Sequence, residues 1–256
     1  MLKPAERRPK PTCPRKLSNP AKRHSQPGCP SDMVEIPASE RRYCIDRWEA
    51  AIDILGPEGA QSPWPFNQTV DGLENCIRAV SVAGRKPQGY ISGSQAARAC
   101  AAAGKRLCSE QEWQHACRGP AQTRYPYGNQ RRAGLCNDRF RRFTDHPVPR
   151  LFQEYAEPGA NERVMWSPHW MNDPRLLEFD HTITPSGAWP QCTNELGVYD
   201  MVGNLHEWIA DPDGTFLGGF FMDTYQNGEG CEYRTRAHAM KYHDYSTGFR
   251  CCRDAE

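Results

Sequence analysis

The sequence predicts an α+β fold, a single compact domain that is low in regular secondary structure and rich in loops. Two observations carry this expectation. Only two segments show a helix with its own start and stop signals, and the remainder is cut by Gly and Pro into short apolar or aromatic runs. A chain of that kind needs staples, either ions or disulfides, and twelve cysteines are present.

Residues 1 to 32 alternate Pro with Lys and Arg, a composition that buries too little apolar area to offset chain entropy. They are expected to form a disordered basic tail or linker, with the folded domain at 33 to 256. "MVEIP" and "YCIDRWEAAID" alternate as short strands, whereas "ILGPEGAQSPWPFNQTVDG" has the Gly and Pro density of a long loop. Within it, Asn67-Gln68-Thr69 is a formal glycosylation acceptor. Ser94 is placed to cap "QAARACAAA", an Ala-rich helix that Gly104 would close. Ser109 followed by Glu112 forms a capping box for "EQEWQHACR", which Gly119-Pro120 stops. Beyond Pro120 no further helix is expected and no internal repeat is visible.

A net charge of +1 gives no global attraction to nucleic acid, and no apolar run approaches the roughly 20 residues of a membrane span. The scattered cysteines include no CxxC pair for zinc, so disulfides in an oxidising compartment fit better. A periplasmic, cell-surface or secreted setting is expected. "MLKPAERRPK" has no apolar signal core, so a secretory signal would have to lie outside this sequence. GxSxG, HExxH and phosphate-cradling glycine loops are absent, which removes support for hydrolase, zinc-peptidase and nucleotide-binding readings.

Six motifs then occur in order: "CIDRWEA", "GKRLCSEQEWQHACRG", "YPYG", "GVYDMVGNLHEW", "GGFFMD" and "TGFRC". Together they resemble the formylglycine-generating enzyme, or sulfatase-modifying factor, family over about residues 33 to 252. The resemblance implies a variant of the C-type lectin fold stabilised by calcium. It carries one calcium site over to the side chains of Asp200 and Glu207 and the carbonyls of Gly203 and Leu205. That donor set is chemically apt, since Ca²⁺ takes six to eight hard oxygens and glycine permits the bend. A plain turn, with both carboxylates hydrogen-bonded to backbone, is the other reading. A second site would use Asn137 and Asp138, with Asp180 and Thr182 as more distant candidates. The resemblance also pairs Cys100 with Cys251 and leaves Cys117 without its usual partner.

The catalytic pattern departs from the family. The enzymes form formylglycine with Cu(I), O₂ and two cysteines, a soft pair suited to a soft ion. Here Asp223 stands at the first cysteine position, Phe220 replaces a serine, and His206 replaces an active-site Trp. Cys231 aligns with the second cysteine only across an insertion; with His238 as base it could serve as a nucleophile, but in an oxidising compartment a bond to Cys252 or another C-terminal thiol is expected. The leading expectation is therefore an extracytoplasmic, calcium-stabilised module that binds a peptide or protein, or serves structurally, without making formylglycine by the copper dithiolate route. The rival is an O₂-using oxidase whose Fe²⁺ or Cu⁺ would be held by His206, Asp223 and His238, with His243 as substitute. Each histidine could equally hydrogen-bond a neighbour. Oligomeric state is open.

Overall fold

A computed structural model describes residues 11, 13, 28–37, 42–139 and 145–255. It contains three small sheets, four α-helices and long connecting loops, the α+β architecture expected. Most of the segment read as a tail lies outside the described residues, but two of its cysteines are tied to the domain, Cys13 to Cys76 and Cys29 to Cys44.

In the first sheet β2 (Tyr43–Asp46) lies between β1 (Met33–Ile36) and β11 (Cys251–Asp254), and β11 pairs on its other edge with β6 (Arg106–Leu107). In the second, β3 (Ala50–Leu55) lies between β4 (Gln61–Pro63) and β5 (Ile77–Ser81). In the third, β7 (His206–Trp208) runs parallel to β10 (Thr247–Phe249) and antiparallel to β8 (Phe216–Leu217), which pairs with β9 (Arg234–Thr235).

The helix α1 (Gly93–Ala102) is capped by Ser92, not by the expected Ser94. Ser92 stands three residues before Gln95, so its hydroxyl accepts the Gln95 N–H while the Gln95 side chain accepts the Ser92 N–H. Gly104, at φ +72°, follows the helix end as expected. The helix α2 (Glu110–Arg118) starts on the expected box of Ser109 and Glu112 and ends at Gly119, φ +62°. Contrary to expectation, a third helix follows, α3 (Pro147–Tyr155), then a single turn, α4 (Pro168–Met171). Pro147 and Pro149 fall in the first turn of α3, where N–H groups have no intrahelical partner to lose, and the His146 imidazole accepts the Val148 N–H. Val148, Leu151 and Phe152 form its buried face.

All twelve cysteines are bonded. The expected Cys100–Cys251 bridge is present, followed by Cys108–Cys252, Cys117–Cys231 and Cys136–Cys192. Adjacent residues of a strand face opposite ways, so Cys251 joins the core under α1 while Cys252 joins the core beneath α2. One strand thus fastens both helices. Cys252 is taken by Cys108, which corrects its expected pairing with Cys231; Cys231 meets Cys117 instead.

Candidate functional site

Strand β7 divides the site in two. Its alternation sends Glu207 into a buried acidic centre and His206 into an open cleft. The turn before it needs left-handed backbone at Asp200, Gly203 and Asn204. At Gly203 the Asn137 carbonyl lies so close that a Cβ would sit 2.4 Å from it, which only glycine tolerates.

In the acidic centre Glu207 Oε2 accepts from Arg250 Nε at 2.6 Å and Trp113 Nε1 at 2.7 Å, and Oε1 accepts from Arg250 Nη2 at 2.6 Å. Three of the carboxylate's roughly four acceptor positions are therefore taken. Asp200 accepts the Gly187 N–H at 2.6 Å. Glu49 accepts from Asn204 Nδ2 at 2.6 Å and from the Leu205 N–H at 3.2 Å. All three carboxylates and Arg250 are buried. Burial, aggravated by Asp200 and Glu207, pushes Glu49 well up. Burial also raises Asp200 to about 7, against the Gly187 hydrogen bond. Three acids facing one guanidinium leave negative charge that a proton or a cation must balance. That imbalance fits a cation beside Asp200 and the remaining Glu207 lone pair. Glu49 and Arg250 were not singled out from sequence.

At the second expected calcium site several oxygens already have N–H partners. The Asp138 carbonyl and Oδ2 are held by Arg131, at 2.6 and 2.9 Å. Asn137 Nδ2 donates to the Thr182 carbonyl at 2.8 Å, and the Asn137 carbonyl accepts the Asn204 N–H. The Asp138 carbonyl and Oδ2 and the Asn137 carbonyl are thus met by N–H groups, whereas Asp138 Oδ1 is buried without a partner. Asp180 is exposed on a separate cavity.

The cleft has a volume of about 460 Å³ and is walled by Trp166, Phe216, Tyr233 and Tyr242 with His206, His238 and His243. A second cavity of about 420 Å³, past Trp64 and Asp71, shares Pro168, Asn172 and His243 with it, so the two make one groove. The His206 ring lies 4.5 Å from Phe216, 4.8 Å from Phe220 and 5.5 Å from Tyr233, between centroids. Burial, with His238 nearby, pushes His206 down to about 3, and burial also lowers His238. Both imidazoles are neutral at pH 7.

The structure brings the three histidines to the cleft but not Asp223. That carboxylate accepts the Tyr225 and Gln226 N–H groups at 3.0 and 3.1 Å and the Tyr233 hydroxyl at 2.9 Å, bracing its own turn. His243 is spoken for, its Nδ1 2.7 Å from Asn172 Oδ1 and its Nε2 3.4 Å from Asp71. Among the described residues no three His, Cys, Asp or Glu side chains converge to hold a metal, which corrects the His206, Asp223 and His238 oxidase set. Cys231 is buried and bonded to Cys117, so it presents no thiolate for a nucleophile or a soft metal. Asn67 is likewise turned in, donating to the Pro174 carbonyl and Glu178, which leaves its amide poorly placed as a glycosylation acceptor. No helix among the described residues is long and apolar enough to cross a membrane.

A family model described as the sulfatase-modifying factor enzyme 1-like domain matches residues 67–255. An inactive Cα-formylglycine-generating enzyme 2 from Bos taurus is 28% identical over 180 residues, 66% of this chain and 50% of the relative. A formylglycine-generating enzyme from Mus musculus is 29% identical over 123 residues, 48% of this chain and 26% of its own. The chain therefore spans about half or less of the length of these curated relatives. Among solved structures, that of CarF overlays with a TM-score of 0.46 at 15% identity, covering 88% of this chain and 97% of its own. With the family model spanning most of the chain, this protein belongs to the sulfatase-modifying factor family.

Proposed function

We propose that the protein is a non-catalytic member of its family, a module of an oxidising extracytoplasmic compartment that binds an extended peptide or a protein segment in the groove beside β7. One observation carries the reading: the groove is open and lined by aromatic rings, while the sulfur of Cys231 is sealed in a buried disulfide. The enzymes' chemistry needs two thiolates at that place, and the side chains here are His206, Phe220 and Asp223. The relatives named inactive support the same reading. Six disulfides support the compartment.

Calcium is the cation proposed for the acidic centre, held by Asp200, the spare lone pair of Glu207 and the carbonyls of Gly203 and Leu205. When bound it would supply charge balance and rigidity under the turn that carries His206, taking no part in chemistry. Selection of binders from a random peptide library tests the groove. Selected peptides should lose affinity about fivefold or more for Trp166→Ala, which removes an exposed rim aromatic. Binders that ignore this change and also fail to compete with one another would place recognition elsewhere and remove the proposal.

A further inference from the structure

Five side chains of the cleft, Tyr233, Tyr242, Ser246, Asn172 and Asn227, donate their hydrogens to protein acceptors. The Tyr242 hydroxyl donates to Asp244 Oδ2 at 2.5 Å and the Tyr233 hydroxyl to Asp223 Oδ2 at 2.9 Å. The Ser246 hydroxyl donates to Asp244 Oδ1 at 2.7 Å. Asn172 Nδ2 donates to the Pro168 and His243 carbonyls, and Asn227 Nδ2 to Tyr233 and Thr235. With these donors spent inward, the hydroxyl and amide oxygens turn lone pairs toward the lining, beside the neutral rings of His206 and His238, each of which keeps one N–H and one lone pair. His206 Nδ1 is buried with no partner at all. Among the described residues no lysine or arginine lines either half of the groove, whereas the buried carboxylate of Asp244 is part of its lining, that of Asp223 stands behind Tyr233, and Asp71 lies in the adjoining cavity.

A pocket rich in lone pairs, backed by anions and walled by aromatic rings, complements a group that only donates and carries positive charge. We propose that the groove anchors its partner by the cationic end of a lysine or arginine side chain, lodged among His206, Tyr233, Tyr242 and Asp244. The aliphatic stem of such a side chain would lie along Phe216 and Trp166 while its head reaches the lone pairs. Hydroxyls that already donate to a carboxylate are polarised into better acceptors, so the tyrosine–aspartate pairs pass the buried charge forward to the cleft. This inference rests on the reading of the groove as a peptide site, and it fixes the chemistry of the residue bound there.

The test is a titration of the full chain with capped pentapeptides, Gly-Gly-Xaa-Gly-Gly, in which Xaa is lysine, norleucine or glutamate, followed by NMR shifts. Lysine should bind about tenfold or more tighter than norleucine, which has the same stem without the charge, and the gap should narrow as salt rises. His206→Phe keeps an aromatic ring and removes the unpartnered nitrogen; it should weaken the lysine peptide about threefold to tenfold and leave norleucine unchanged. Lysine and norleucine binding alike would overturn the inference while leaving a peptide groove in place. A preference for glutamate would overturn it too. If none of the peptides shifts a groove resonance, the broader peptide reading falls with it.

Discussion

Replacing Arg250 by methionine removes the guanidinium that, among the described residues, faces Glu49, Asp200 and Glu207. The residue is 1% exposed and its side chain makes two short bonds to Glu207 as well as bonds to the Asp46 and Tyr199 carbonyls at 3.1 and 2.9 Å. Breaking a buried ion pair from one side typically costs about 3–5 kcal/mol, because the remaining charge stays buried. Two carbonyls that lose their donors push the figure toward the upper end. Against a total stability of about 5–15 kcal/mol, the variant should be marginal. Urea unfolding with disulfides intact and chelator present should show a midpoint about 1.3–1.7 M lower, taking a slope near 3 kcal/mol per M. Adding Glu207→Leu to Arg250→Met should cost less than the two single changes together by about 2 kcal/mol, since the stranded charge is gone. A loss below about 1 kcal/mol for Arg250→Met, or plain additivity, would refute the claim that this pair organises the centre.

Other outcomes follow from the same geometry. Calcium added to chelator-stripped protein should raise the melting temperature by about 5–10 °C at a hundredfold excess over its dissociation constant, and Asp200→Asn should abolish the rise; an equal rise in the variant would remove Asp200 from the cation site. Cys117→Ala with Cys231→Ala should destabilise by about 2–4 kcal/mol, less than a free loop of that length implies because other bridges already shorten it. Thiol titration of the unfolded wild type without reductant should find no free thiol; two or more would contradict the bonding described. Burial holds His146 down to about 4, below its unfolded value of about 6.5, so its contribution is intact above pH 6.5 and lost as pH falls through about 4. His146→Gln should flatten that part of the acid stability profile, and a profile identical to wild type would contradict the assignment.

Local rules made some of this legible in the sequence and long-range ones hid the rest. The box at Ser109 and Glu112 is complete within four residues, so it was read correctly. Ser92 and Ser94 both precede the Ala-rich run, and only the three-residue offset to Gln95 decides between them. Helix α3 escaped because two prolines look like breakers unless the first turn is known. The family motifs located the site, yet they gave no hint that Glu49 would reach Asn204 across 155 residues. Asp223 looked like a ligand because of the residue it replaces. Two of its partners, N–H groups of its own turn, are close in sequence, and a short Asp-Thr-Tyr-Gln turn is the available signal. Nothing local in the sequence marks Cys117 and Cys231 as a pair, since sequence alone cannot rank disulfide partners.

The most direct measurement is the incubation of the purified protein with a cysteine-containing sulfatase-type peptide, Cu(I) and O₂, with mass spectrometry of the peptide. With Cys231 closed onto Cys117 and Asp223 turned into its own loop, the cysteine should be recovered without aldehyde, beside a formylglycine-generating enzyme that converts it. Enzymatic appearance of the aldehyde, lost on Cys231→Ala, would contradict the account.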